Sequence, residues 1–229
     1  MLELDALTLT HPGFTLTADF ALKSGSRTAI IGPSGAGKST LLMSIAGFQT
    51  PTNGRILSDD TDITNAPPSK RPFAVIFQDN NLFPHLTALQ NAGLGLKADL
   101  RLTSQDRVKI ESTLEKLGLG GLSNRRPGEL SGGQQSRLTL ARALLQARPW
   151  MLLDEPFAAL GPGQRREMLT LVTQLCGETG AGLLMVTHAP EDALTACPET
   201  ILVADGRAHP PQATNALFDD PPAALAQYL

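Results

Sequence analysis

The feature that most constrains this chain is a glycine-rich segment at residues 32–40, which reads GPSGAGKST and fits the pattern G-x-x-x-x-G-K-[ST]. An apolar run at residues 27–31 precedes it, and a helical pattern that ends at Gly47 follows it. Because Gly35 and Gly37 carry no side chain, backbone N–H groups can turn inward at the start of the helix, where the helix dipole favours an anion. The segment therefore predicts a strand–loop–helix unit that holds the phosphates of a nucleoside triphosphate.

Two side chains of this segment extend the prediction. Lys38 is placed to reach the β- and γ-phosphates, and the Ser39 hydroxyl is placed to ligate Mg²⁺. A glycine turn that merely joined a strand to a helix would require neither side chain. The phosphate-binding residues predicted here are Gly32, Pro33, Ser34, Gly35, Ala36, Gly37, Lys38, Ser39 and Thr40.

Other patterns predict the sheet around this unit. The apolar runs 150–153 and 183–187 are short and flanked by helical patterns, as buried parallel strands are. Residues 14–22 alternate apolar and polar side chains, which is typical of a half-buried strand in an antiparallel sheet. The alternation of strands and helices favours a doubly wound α/β sheet whose ligands bind at the carboxyl ends of the strands.

The middle of the chain, about residues 87–148, has no convincing strand pattern but carries helical patterns at residues 105–117 and 134–146. We interpret it as an inserted helical subdomain. The predicted fold class is α/β: a P-loop NTPase (RecA-like) core with an N-terminal antiparallel β-subdomain and an inserted helical subdomain, all within a single domain of residues 1–229.

Acidic side chains follow the run 150–153 directly. Asp154 ends that run, where a strand presents it toward a metal ion, and Glu155 comes next. Because successive strand residues diverge, Asp154 can act on Mg²⁺ while Glu155 polarises an attacking water. His188 follows the second run and is predicted at the same sheet edge, where it can contact the γ-phosphate or position the water. The alternative is a pair of solvated acids and an ordinary polar histidine.

A second segment with anion-binding character reads LSGGQ at residues 130–134, immediately before a helical pattern. It brings a hydroxyl, open backbone N–H groups and a helix N-terminus to one point. A simple helix cap is the alternative. A chain with both segments has either two ligands or one site shared between two chains.

The LSGGQ segment, lying between the GPSGAGKST segment and the MLLDEP segment at residues 151–156, resembles the ABC ATPase family over nearly the whole chain. The resemblance implies that the ligand is ATP with Mg²⁺ and that the chain is an ATPase that works as a homodimer. It also implies that the γ-phosphate of ATP held by one subunit is contacted by four residues of the other: Ser131, Gly132, Gly133 and Gln134.

Further family positions are carried over residue by residue. Gln78, in the segment VIFQD, matches a glutamine that senses the metal and the water in the family. His11 stands near the position where the family usually stacks an aromatic ring on adenine, and Phe14 is close by. Gly161 replaces the aspartate of the family's S-A-L-D loop, which affects communication between the two sites.

Within the family, the segments 78–83, 93–96, 184–186 and 203–207 resemble the ATPase subunits of bacterial importers of thiamine or thiamine diphosphate. That branch implies integral-membrane permease subunits, docked at about residues 80–87, and indirectly a periplasmic solute-binding protein. It also implies a cytoplasmic chain, peripheral on the inner face of the cell membrane. Other small-solute importers, for iron, polyamine, sulfate or molybdate, remain alternatives.

Composition and motif content argue against several other classes of protein and partner. A net charge of −3 gives no basic footprint, so we expect no nucleic-acid partner, and the isolated Cys176 and Cys197 indicate ordinary thiols. We also expect no signal peptide or membrane span, and a loosely packed tail at the proline-rich residues 208–222. A P-loop metabolite kinase would have no use for the LSGGQ segment. ABC ATPases that do not serve transport resemble chains with long coiled-coil insertions or tandem cassettes, and neither pattern fits this sequence of 229 residues.

Overall fold

The computed structural model of the chain describes residues 1–79 and 81–226. Asn80, part of the predicted docking segment, lies outside the described residues. The chain divides into two compact units: the first comprises Met1–Phe73, Pro149–Glu155 and Leu169–Leu229, and the second comprises Ala74–Arg148 and Pro156–Met168.

The strands are numbered in chain order. They are β1 (Leu2–His11), β2 (Phe14–Leu22), β3 (Arg27–Ile31), β4 (Asn53–Ser58), β5 (Thr61–Asp62), β6 (Phe73–Ile76), β7 (Trp150–Asp154), β8 (Gly182–Val186), β9 (Glu199–Ala204), β10 (Arg207–Ala208) and β11 (Gln212–Ala213). Within the first unit the strand order is β5-β4-β1-β2-β10-β9-β3-β8-β7, and β11 pairs with β9.

The first unit has an antiparallel and a parallel part. β1 pairs antiparallel with β2 and with β4, and alternate residues of β2 are buried, which confirms the predicted N-terminal antiparallel sheet. β3 pairs parallel with β8 and β9, and β8 pairs parallel with β7. The side chains of β8 are buried throughout, as expected of a strand covered on both faces. The two apolar runs therefore form the parallel core strands that the sequence predicts.

The helices are also numbered in chain order. They are α1 (Lys38–Ala46), α2 (Ala88–Gly93), α3 (Ser104–Lys116), α4 (Gly132–Leu145), α5 (Pro162–Thr179), α6 (Pro190–Ala196), α7 (Thr214–Asp219) and α8 (Ala223–Ala226), with short 3₁₀ turns at Pro68–Lys70 and Pro127–Glu129. None of the helices within the described residues is long and apolar enough to cross a membrane.

The second unit contains α2, α3 and α4, so the helical patterns predicted at residues 105–117 and 134–146 are confirmed to within two residues. Its core includes Ile110, Leu114 and Leu138, all at most 1% exposed. Both α3 and α4 begin with a capping box, in which Thr103 and Ser131 accept a hydrogen bond from the backbone N–H three residues on. How far the inserted helical subdomain extends stays a prediction.

The prediction of a loosely packed tail at residues 208–222 was wrong. β10, β11 and α7 occupy much of this stretch, and Leu217 is 2% exposed. The Thr214 hydroxyl, also buried, donates to the Cys197 carbonyl oxygen at 2.6 Å. The proline-rich composition suggested an irregular tail. Apolar residues spaced along this stretch nevertheless reach the core one at a time.

Both cysteines are buried free thiols. Burial raises the pKa of the Cys176 thiol to about 11 and that of the Cys197 thiol to about 12. Both groups are therefore protonated and poorly reactive at neutral pH, in agreement with the reading of ordinary thiols.

An arginine that sequence patterns did not single out joins the end of α1 to the segment that follows β5, within the first unit. Arg71 is 1% exposed. Its guanidinium donates to the carbonyl oxygens of Ser44 and Ile45, in the last turn of α1, at 2.8 and 2.7 Å. It also donates to the carbonyl oxygens of Thr64 and Ala66 at 2.7 and 2.8 Å. The side chain thus supplies hydrogen bonds to helix-end carbonyls that no further turn of helix would satisfy.

Replacing Arg71 with Met should lower the stability of the chain by about 3 kcal/mol, because three buried carbonyl oxygens and one partly buried carbonyl oxygen lose donors worth about 1 kcal/mol each. The measurement is the urea-unfolding midpoint followed by circular dichroism. Arg101→Met is the control, since Arg101 is 88% exposed beside Asp99 and its loss should cost less than about 0.5 kcal/mol. Equal midpoints for the two variants would contradict the structural role of Arg71.

Candidate functional site

The glycine-rich segment connects β3 to α1, as the sequence predicts. Gly37 is the N-cap residue of α1 with a φ of 97°, a left-handed conformation that glycine adopts without strain. At Gly32 a Cβ atom would lie 2.0 Å from the carbonyl oxygen of Val203 in β9, so a larger residue cannot fit. The loop is thus held against the sheet at one end and opens the helix at the other.

Lys38 lies over this loop. Its side chain is 5% exposed, and the ammonium donates to the carbonyl oxygens of Gly32 and Pro33 at 2.8 and 2.9 Å. Burial lowers the pKa of Lys38, while the nearby charges of Glu155 and Asp154 act in the opposite direction. A phosphate oxygen that bound here would accept hydrogen bonds from this ammonium in place of the two carbonyls.

Ser39 and Asp154 meet, although 115 positions separate them along the chain. The Ser39 hydroxyl donates to Oδ1 of Asp154 at 2.9 Å. Burial raises the pKa of Asp154, and the hydrogen bond from Ser39 partly offsets this.

The pair has the chemistry of a partial Mg²⁺ site. One hydroxyl and one carboxylate are hard oxygen ligands of the kind that Mg²⁺ takes when substrate phosphates and water complete its coordination shell. No cluster of three or more acidic, histidine or cysteine side chains among the described residues could hold a metal alone. The pair fits an ion that arrives with a phosphate.

Glu155 and His188 also meet. Nε2 of His188 lies 2.5 Å from Oε1 of Glu155. The backbone of Glu155 is left-handed, with a φ of 46°, and its N–H donates to the carbonyl oxygen of Val186 at the end of β8. Such a conformation costs about 1 kcal/mol or more in a residue other than glycine, and here the neighbouring strand holds it.

A cavity of about 410 Å³ opens above the loop. Six of the nine predicted phosphate-binding residues line it, together with both candidate base-stacking residues and His188. Its lining residues are His11, Phe14, Ser34, Gly35, Gly37, Lys38, Ser39, Thr40 and His188.

His11 and Phe14 are paired across the hairpin that joins β1 to β2, so their side chains lie on the same face. The Phe14 ring packs against Gly37: a Cβ there would lie 2.3 Å from Cζ of the ring. His11 is exposed, whereas Phe14 is half-buried. The cavity thus offers two rings to a nucleobase.

The LSGGQ segment lies in the second unit at the start of α4. Ser131 accepts a hydrogen bond from the Gln134 N–H at 3.4 Å, and the Gln134 side chain accepts one from the Ser131 N–H at 2.9 Å. The simple helix cap that the sequence left open is therefore present. Ser131, Gly133 and Gln134 also line a cavity of about 260 Å³ within this unit, beside Arg137. Anion binding by the segment stays a prediction.

Two further predicted positions belong to the second unit. Gln78 follows β6, and its contact with a metal stays a prediction. Gly161 precedes α5, and its carbonyl oxygen accepts a hydrogen bond from the Arg165 N–H at 2.9 Å. A Cβ at Gly161 would meet open space, so the missing aspartate is not explained by a steric restriction.

Sequence reasoning missed Asn91, which is fully buried in α2. Its side-chain amide accepts a hydrogen bond from the Phe83 N–H at 2.8 Å and donates to the carbonyl oxygens of Phe83, Leu86 and Thr87 at 3.1 Å each. Asn91 thereby shapes the described part of the predicted docking segment. A buried asparagine in an apolar helix was the available signal.

Comparison with known proteins places these features in a family. Residues 16–158 match the ABC transporter family. The chain is 58% identical to the thiamine import ATP-binding protein ThiQ of Cereibacter sphaeroides, over 100% of this chain and 99% of that relative. It is 50% identical to the ThiQ of a Ruegeria species over the same shares. A solved dimeric ATP-binding cassette, in a post-hydrolysis state with ADP and Pi, matches with a TM-score of 0.80 and 30% identity, over 93% of this chain and 99% of that chain.

These matches confirm the resemblance found in the sequence and the predicted P-loop α/β fold class, and with them ATP hydrolysis coupled to transport as the activity of the family. The chain belongs to the ABC transporter family.

Proposed function

We propose that this chain is the ATP-hydrolysing subunit of an importer for thiamine or thiamine diphosphate. The observation that carries the ATPase part is the meeting of Ser39 with Asp154 and of Glu155 with His188 beside the phosphate loop. The cargo is supported by relatives named as thiamine import ATP-binding proteins that are 58% and 50% identical over the whole chain.

In this proposal the phosphate loop and Lys38 hold the triphosphate, while Ser39 and Asp154 hold Mg²⁺. Bound Mg²⁺ neutralises charge that develops on the phosphoryl oxygens. Glu155 polarises the attacking water as a general base. His188, in contact with Glu155, positions that water and the γ-phosphate.

The nucleobase is held by His11, with Phe14 as the second ring. Both line the cavity, and stacking needs only an accessible ring face. An imidazole ring presents a smaller face than a phenyl ring, so we assign part of the contact to Phe14.

The working unit is a homodimer in which Ser131, Gly132, Gly133 and Gln134 contact the γ-phosphate of the partner's ATP. The open glycines at the start of α4 and the helix N-terminus supply the necessary donors. The solved cassettes similar to this chain are dimeric, which supports the same assembly here.

Replacing Glu155 with Gln should reduce ATP turnover about 100-fold or more, because an amide cannot act as the base. ATP binding should persist, and the variant should sediment as a dimer when ATP is present. The measurements are phosphate release and analytical ultracentrifugation with and without ATP. Glu111→Gln, on the exposed side of α3, is the control and should match the parent. Parental turnover by the Glu155→Gln variant would exclude Glu155 as the base.

The membrane partner is a permease at the inner face of the cell membrane, and its docking site includes the loop at residues 81–87. Phe83 is 45% exposed there, and its ring lies edge-on to His85 with 6.0 Å between the ring centroids. Exposed aromatic rings on a loop held in shape by a buried Asn91 suit a protein interface, where such groups supply much of the binding energy.

Replacing Phe83 with Ala should weaken co-purification with the permease subunits about tenfold or more, because an aromatic anchor leaves the interface. Turnover of ATP by the isolated chain should stay within about twofold of the parent. Leu194→Ala is the matched control, since Leu194 is 47% exposed on α6. A similar loss in both variants would show that the effect is not specific to the loop.

The cargo is tested on the complex with its permease and solute-binding protein in lipid vesicles. Thiamine or thiamine diphosphate should stimulate ATP turnover at least about threefold, since closure of the ATPase subunits is linked to the cargo-loaded state. Iron, polyamine, sulfate and molybdate are the comparison solutes. Stimulation by one of these and not by thiamine would overturn the assignment of the cargo while leaving the ATPase intact.

A further inference from the structure

A pair of buried polar side chains holds the loop that carries His188. Thr187, 3% exposed, comes directly after β8, and Asp192, 8% exposed, lies in the first turn of α6. The Thr187 hydroxyl lies 2.9 Å from Oδ2 of Asp192. The same hydroxyl accepts a hydrogen bond from the Ala189 N–H at 3.1 Å. One threonine side chain thus contacts the loop on the far side of His188 and the helix beyond it.

The direction of these bonds follows from the chemistry of a hydroxyl. It has one proton to donate and two lone pairs to accept with. The Ala189 carbonyl oxygen, at 3.5 Å, is a poorer acceptor than the Asp192 carboxylate at 2.9 Å, so the proton goes to the carboxylate in a charge-assisted bond.

The backbone is fixed on both sides of His188. The Thr187 N–H donates to the Ile30 carbonyl oxygen in β3 at 3.2 Å, which extends the parallel sheet by one residue. The Asp192 N–H donates to the Ala189 carbonyl oxygen at 3.1 Å, which starts α6. With the bond between Thr187 and Ala189, the chain turns tightly about His188 and sends the imidazole into the cavity beside Glu155.

We infer that Thr187 and Asp192 are positioning residues for hydrolysis: they fix His188 against Glu155 and act on the reaction only through it. This rests on the proposed function, in which His188 positions the water and the γ-phosphate. Among the described residues that line the cavity, neither Thr187 nor Asp192 occurs, so neither touches the nucleotide site itself. A displacement of about 1 Å at a reacting group can cost about 100-fold in rate.

The inference predicts that loss of the Thr187 hydroxyl lowers the turnover of ATP but leaves ATP binding nearly unchanged. Thr187→Val keeps the shape of the side chain but removes the hydroxyl, leaving the Ala189 N–H and the Asp192 carboxylate without that partner. In the purified full-length chain we expect kcat to fall about tenfold or more, with KM for ATP within about twofold of the parent. Thr187→Ser keeps the hydroxyl and should restore kcat to within about threefold. Asp192→Ala should act as Thr187→Val does.

A double-mutant cycle shows whether the effect passes through His188. In a His188→Ala background, adding Thr187→Val should change the residual kcat by less than about twofold, because the residue being positioned is already absent. Thermal unfolding of every variant shows that each is folded at the assay temperature. A full additional loss in that background, or parental kcat in a folded Thr187→Val variant, would overturn the inference.

The same variants distinguish a failure of the proposed function from a failure of the positioning role. If His188→Ala alone hydrolysed ATP at the parental rate, the role of His188 would be wrong, and the positioning role would fall with it. If His188→Ala is slow but Thr187→Val is unaffected, only the positioning role is excluded.

Discussion

The parallel register of β3, β8 and β7 is the constraint on which the site depends. Asp154 at the end of β7 pairs with Val186 at the end of β8, and Val186 pairs in turn with Ile30 in β3. Parallel strands in register end at one edge, so the segments that follow them lie side by side. The phosphate loop, the Asp154–Glu155 pair and His188 come from distant parts of the sequence, and this register brings them within hydrogen-bond distance.

The parts of the fold and of the site differ in how well the sequence predicts them. The strand–loop–helix unit and the parallel strands follow from short local patterns and one topological rule, and the structure confirms them. The hydrogen bond between Ser39 and Asp154 is consistent with the metal site predicted for both, which stays a prediction. Arg71 and Asn91 were missed because their role is to satisfy carbonyl and N–H groups of loops, and no periodic pattern marks which buried polar residue does this. The tail at residues 208–222 was mispredicted because its proline-rich composition outweighed the two apolar residues Ala208 and Leu217, which are buried in the core.

The two predicted anion-binding segments differ in how far sequence reasoning reaches. At Lys38 the structure shows a buried ammonium that donates to the loop carbonyls, and its contact with a phosphate stays a prediction. At Ser131 the same atoms that could bind an anion already close a helix cap. A hydroxyl at an N-cap keeps a second lone pair and its proton, so capping and ligand binding are compatible. Anion binding by Ser131 stays a prediction, because it requires a partner chain and the helix cap already accounts for these residues.

The hydrogen bonds from the Lys38 ammonium to the Gly32 and Pro33 carbonyl oxygens bear on the conformational entropy of the glycine-rich loop. A glycine-rich loop without a ligand is expected to sample many conformations and to lose that entropy when the ligand arrives. Here a buried cation holds two of the loop's carbonyl groups and restricts the conformations that the loop can sample. A phosphate that accepted hydrogen bonds from this ammonium would exchange one set of partners for another and would not have to order the whole loop.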